Sequence, residues 1–340
     1  MTPRDRVAMA LRHEQPDSVP YHLSFTIPIE EKLRDHFGTE DLDSLIGNHA
    51  AMTSAKPPDA WTEFEPGLWR DEFGVVWDRT IDQDIGTVAN CCLPEPTLAG
   101  CQFPDPHTPR RYAHYPEFCK RYADRFKLSD IGFSLFERAW TLRGMENLMM
   151  DFYLHPDFVE ELLDAILAFN LAILSHATKL PIDGARFGDD WGSQRGVLMG
   201  PELWRRFLKP RLAKQYAAAH AAGKPVFIHS CGAVSTLFDD LIEIGVDCFN
   251  PFQPEVMDVY AMKRRYGARI SFFGGVSTQR TLPFSKPAEV RAEVKRLMSE
   301  VGRGGGYILA PAHDVPKDVP LENLLAMIEA VRDQDGSQSR

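Results

Sequence analysis

Three side chains have the types and the placement to hold a metal ion of borderline softness. Pro225, Val226, Phe227 and Ile228 read as a strand, and His229, Ser230, Cys231 and Gly232 follow where it should end. Side chains on an extended chain repeat their direction every second residue, so His229 and Cys231 share a side if that conformation persists through Cys231. An imidazole and a thiolate so placed can begin a zinc site. A third donor must come from another parallel segment, and His313, after the apolar run 307–310, is the candidate. The expected centre is zinc on His229, Cys231 and His313, with a fourth position open for water or substrate as a catalytic zinc requires. The plain alternative is a hydrogen-bonded His229 beside a buried Cys231, since His-X-Cys is short and matches by accident.

Carboxylates supply the second chemistry. Asp189 and Asp190 are adjacent and follow another predicted strand. Two crowded carboxylates can separate in pKa, so that one keeps a proton and serves as an acid. Either of them, or Glu137, could instead ligate the ion or fix an imidazole. The catalytic candidates are therefore Glu137, Asp189, Asp190 and Gln194, and the cofactor-binding candidates are His22, Trp191, Gln253 and Gln279. A loop cap plus a surface charge is the plain reading of the aspartate pair, and a hydrogen-bonded core histidine that of His22.

These residues need a frame that gathers strand ends. Strands are expected over 182–187, 226–229, 246–249, 270–273 and 307–310, with helices over 201–222, 234–244, 258–266, 287–301 and 320–331. Gly223, Gly245, Gly267 and Gly302 follow helices, and Pro201, Pro287 and Pro320 open them, which gives each boundary a physical cause. Five successive strand–helix units imply a parallel sheet. With earlier strands at 19–25 and 131–136, the count suits an α/β fold of the closed (β/α)8 TIM-barrel type, whose site lies at the carboxyl ends of the strands. An open doubly wound sheet is the runner-up, but its GxGxxG fingerprint is missing.

Thr2, Pro3 and Asp5 mark an N-terminal helix start. Pro156 and Asp157 open a helix whose apolar stripe, from Phe158 to Leu174, is core. Residues 56–125 are rich in proline and aromatics and read as short antiparallel strands, an insertion or lid within a single barrel domain spanning 1–340. The run Gly304–Gly306 precedes a strand, so it reads as a tight entry and not as a phosphate cradle.

The net charge of −10 argues against a nucleic-acid surface and, more weakly, against an anionic membrane. No signal segment and no apolar run near 18 residues is visible, so a cytoplasmic enzyme of small molecules is expected. The cysteines at 91, 92, 101, 119, 231 and 248 do not make the dense framework of a small secreted domain, and free thiols are expected.

Five motifs carry a family resemblance. They are Phe187 to Gln194, His229 to Gly232, Gly245 to Asp247, Phe273 to Gly275, and Gly305 to His313. Together they resemble the uroporphyrinogen decarboxylase superfamily, over most of the chain and most strongly over 181–331. The resemblance implies a (β/α)8 barrel. True uroporphyrinogen decarboxylases carry an arginine-rich N-terminal segment that binds propionates, whereas residues 18–25 here hold no arginine. The other branch contains methyltransferases that move methyl groups between corrinoid proteins and thiols. It resembles this chain in the pair carried by His229 and Cys231. Its third zinc ligand is typically a cysteine near the last strands, where His313 is the nearest match.

The resemblance thus implies a zinc-dependent methyltransferase or demethylase acting between a corrinoid or methylated small molecule and a thiol-type acceptor. No corrinoid-binding DxHxxG motif is visible, so a corrinoid would arrive on a partner protein or as a free cofactor. The alternative is a metal-independent decarboxylase or lyase of a small carboxylated substrate, using Asp189 or Asp190. A homodimer is compatible with either.

Overall fold

A computed structural model describes residues 1–335. The chain divides into two compact units. The first holds residues 1–51, 122–127 and the chain from Asp247 onward; the second holds 52–121 and 128–246. Both are α/β, and their central strands run parallel.

In the second unit the end of strand Phe126–Ile131 lies beside Gly184–Gly188, which lies beside Val226–His229. Leu128 faces Gly184 and Val226 faces Ala185, and the strands end together near Ile131, Gly188 and His229. The helix Pro156–Ala177 packs here through Phe158, Leu162, Leu163, Ile166, Ile173 and Leu174, all buried. Burying each such side chain is worth about 1.5–3 kcal/mol, so the stripe is core, as its spacing predicts.

In the first unit Cys248–Phe252, Ser271–Val276 and Tyr307–Pro311 are parallel neighbours, with Phe272 facing Tyr307. The last two are buried at every residue, as strands covered on both faces must be. The expected strand at 19–25 is an extended segment with single parallel bridges, Tyr21 to Leu309 and Phe25 to Val315. The N-terminal helix Pro3–Leu11 starts on the predicted reciprocal cap between Thr2 and Asp5.

Residues 61–88 form a four-stranded antiparallel sheet of Trp61–Glu65, Leu68–Asp71, Val76–Asp78 and Thr87–Val88, each pairing with the next. Asp71 ties it to the helix Phe136–Arg143 of the same unit. Its carboxylate accepts the Phe73 and Val75 amides and Arg138 Nη1 at 2.8 Å.

Three expectations about elements need correcting. The strand placed at 131–136 is Phe126–Ile131, and Glu137 and Arg138 lie in the first turn of helix Phe136–Arg143 instead of at a strand end. Phe133 adopts a positive φ of 52° after Gly132, which breaks the extended run. A strand at Ala50–Ser54 was not foreseen, because Ala-Ala-Met-Thr-Ser carries little β preference. The helices at 201–221 and 287–301 contain π turns at Trp204–Leu208 and Leu297–Val301. All six cysteines are free, and among the described residues no helix is long and apolar enough to cross a membrane.

Candidate metal and acid site

Strand Val226–His229 ends at the imidazole, and Cys231 follows in the loop. His229 Nε2 lies 3.5 Å from Cys231 Sγ. A tetrahedral ion bonded to nitrogen at about 2.0 Å and to sulfur at about 2.3 Å holds those atoms about 3.5 Å apart. The donor pair therefore already has the spacing that zinc demands. Asp190 sits beside both: its Oδ1 accepts the Cys231 amide at 2.8 Å and lies 3.8 Å from His229 Nε2. Burial, then the Asp190 carboxylate, push the Cys231 thiol well above its ordinary range, and Arg186 opposes them weakly. Without a bound cation this sulfur keeps its proton; metal coordination is what removes such a proton.

Glycines fix this loop. Gly232 has φ +91°, and a Cβ there would run into the backbone of Gly192; a Cβ on Gly192 would run into the Cys231 carbonyl. The hairpin of Gly192–Ser193 and Gly196–Val197 thus lies backbone to backbone on the Cys231 loop, and Ala233 N–H donates to the Ser193 carbonyl at 2.8 Å. Gly232→Ala must pay for both strain and overlap, about 1–3 kcal/mol. We expect a lower urea midpoint together with weaker metal binding; a variant matching wild type in both would contradict the close approach.

The carboxylates form a layer behind the thiol. Asp189 is fully buried and accepts four N–H groups: the amides of Leu135, Phe136 and Glu137 at 2.9–3.2 Å, and Trp191 Nε1 at 2.6 Å. Those amides are the unpaired donors at the start of helix Phe136–Arg143, where a carboxylate is favoured by hydrogen bonds and by the helix dipole. Burial nevertheless outweighs the donors and raises the Asp189 pKa to about 6. Glu137 is pushed further up, by burial first and then by Asp190 and Asp189, so it holds its proton well above the carboxylate range.

The Asp189 shift has a consequence for stability. A carboxyl whose folded pKa is raised favours the folded state while protonated, so that contribution is full below about 4 and lost as pH rises through about 6. The shift from 3.8 to about 6 corresponds to up to ~3 kcal/mol. Urea unfolding of wild type and Asp189→Asn at about pH 4 and about pH 7 should show the wild-type advantage shrinking at the higher pH by that order. An unchanged gap would mean that Asp189 does not titrate in this window.

Trp191 is fully buried, with its indole spent on Asp189 and packed edge-on to Trp204, 5.3 Å between centroids. Gln194 is exposed at the hairpin turn. In the first unit, His22 Nδ1 is 3.1 Å from the Ala50 carbonyl and its ring meets Phe273 edge-on. His313 is exposed just past strand Tyr307–Pro311, two residues beyond the strand as Cys231 is beyond its own. Gln253 is buried, and Gln279 is exposed with its amide on Glu255. Sequence reading missed Arg186 and Asp130, an ion pair of 2.6 Å at the ends of neighbouring strands. The signal was present: an arginine inside the predicted strand 182–187 is costly to bury unless it is paired.

A family model described as uroporphyrinogen decarboxylase (URO-D) matches residues 132–334. The chain is 29% identical over 137 residues to "Methylcobamide:CoM methyltransferase MtaA" of Methanosarcina barkeri, covering 40% of this chain and 38% of that one. It is 22% identical over 241 residues to a uroporphyrinogen decarboxylase of Pseudomonas fluorescens, covering 68% of this chain and 66% of that one. The match thus spans well under half of the methyltransferase and just under two thirds of the decarboxylase. A solved structure described as a methyltransferase from Methanosarcina mazei has the same fold, with a TM-score of 0.75 at 20% identity over 98% of this chain and 99% of that one.

Proposed function

The chain belongs to the uroporphyrinogen decarboxylase family, and from that premise we propose that it is a zinc-dependent methyltransferase or demethylase. It moves a methyl group between a corrinoid, carried by a partner protein, or a methylated small molecule, and a thiol-type acceptor. The observation that carries this reading is the 3.5 Å separation of His229 Nε2 and Cys231 Sγ, the ligand spacing of a tetrahedral zinc. His229 and Cys231 hold the ion, and His313 completes the set. The likeness to the methyltransferases of Methanosarcina supports the same choice. The frame is a closed (β/α)8 barrel forming one domain, with residues 56–125 as an insertion or lid.

Zinc bound there supplies a Lewis acid that keeps an acceptor thiol ionised at neutral pH. The remaining roles fall to the chain. Asp190 orients the Cys231 loop through the amide bond and sets the local charge at His229. Asp189 holds the helix start on which Glu137 stands. Glu137, kept protonated by its surroundings, is the proton donor of the site. His22, Trp191, Gln253 and Gln279 remain proposed contacts to the cofactor, and Gln194 a proposed catalytic group.

The raised carboxyls also favour a second reading, a metal-independent decarboxylase or lyase of a small carboxylated substrate. Chelation separates the two. Under the first reading the purified protein carries about one zinc per chain, and its removal abolishes methyl transfer. A metal-free protein with full activity would leave only the second.

A further inference from the structure

A pocket with about 450 Å³ of empty space, its open mouth included, lies wholly within the second unit. Its walls are aromatic: Phe73 and Phe169 meet edge-on at 5.1 Å, and the Arg138 guanidinium lies over the Phe73 ring at 4.0 Å and the Phe133 ring at 5.6 Å.

Its charges nearly cancel. Arg138 is paired with Asp71 at 2.8 Å, Arg111 with Glu72, and Asp130 with Arg186 at 2.6 Å. One cation is left over. Lys56, an exposed residue, lines the pocket, and its ammonium has no acceptor within hydrogen-bonding distance among the described residues. Its nearest ring is Trp61, at 5.8 Å. The surroundings disfavour its charge, through burial first and with Arg138 adding to it, against the pull of Asp130. One uncompensated positive charge above flat apolar walls defines a ligand with one negative charge on a flat apolar body. A second carboxylate on the ligand would have to break an existing pair.

We propose that this pocket binds a single-ring aromatic monocarboxylate, with Lys56 taking the carboxylate and Phe73, Phe133 and Phe169 enclosing the ring. The Asp130 that lines it pairs with Arg186, which acts electrostatically on the Cys231 thiol, so the ligand would lie beside the chemistry proposed above. Binding itself needs neither the ion nor methyl transfer.

Benzoate is the probe, and calorimetry or tryptophan fluorescence is the readout. Saturable binding with an affinity on the order of 1 mM or tighter is expected. Lys56→Met should weaken it about tenfold or more, and Lys56→Arg should retain it. Lys56 is solvent-accessible, so neither change threatens the fold. Benzylamine should bind far more weakly than benzoate. Cys231→Ser should bind benzoate as wild type does, which keeps this outcome separate from the fate of the zinc reading. No saturable binding, equal binding by Lys56→Met, or equal binding of benzylamine would each overturn the proposal.

Discussion

Cys231→Ser is expected to lose the proposed zinc and, with it, the proposed methyl transfer. A serine hydroxyl is harder than a thiolate and far more reluctant to give up its proton, so it cannot replace sulfur beside His229. Loss of a contact that merely supports a ligand costs roughly 10–100-fold in metal affinity or activity; loss of a ligand itself must exceed that. Zinc per chain by elemental analysis, read beside turnover, checks both halves. His229→Ala should follow the same course. His313→Ala decides the third ligand: loss of the metal assigns His313, whereas retention transfers the role to Asp190, 3.8 Å from the imidazole. Wild-type zinc content and turnover in Cys231→Ser would end the zinc reading outright.

Asp71→Ala should destabilise the protein by about 3–5 kcal/mol, the cost of leaving a buried charge without its partner. Asp71 and Arg138 are both buried, and the same carboxylate also serves the amides of Phe73 and Val75. The substitution therefore strands one guanidinium and two amides at once. It also unseats the four-stranded sheet that Asp71 anchors, so the aromatic pocket should loosen too. A urea midpoint close to that of wild type would show that Arg138 finds water or another acceptor at little cost.

The regular half of the chain was readable because its punctuation is physical. Proline starts and glycine stops mark most of the helices after residue 200, and the strands before and between them are short and largely apolar; the structure keeps all five strands with boundaries moved by up to three residues. The closeness of His229 and Cys231 was expected from the two-residue repeat of a strand, but the strand ends at His229 and it is the following loop that brings the sulfur to the ring. Around residue 131 the reading failed. There an apolar run holds the end of one strand and the start of a helix, and the device that divides them is the Asp189 carboxylate, more than fifty positions later. No local pattern reports a cap supplied from so far along the chain. The same limit applies to Asp189 and Asp190, adjacent in sequence yet facing different tasks: one is sealed behind the helix start and the other meets the thiol loop. Lys56 and its pocket were invisible because their meaning lies in a charge left over after three distant pairs have formed.

The borrowed cap has a consequence for the order of assembly. A nascent chain that has not yet delivered residue 189 can wind 136–143 into a helix only with a frayed first turn, and Glu137 stands on that turn. The acid is therefore aimed only when the strand that ends at Gly188 has docked. The helper residue and the loop bearing the sulfur come from one stretch of about forty positions, so the segment that sets the helix start under Glu137 also carries the thiol loop.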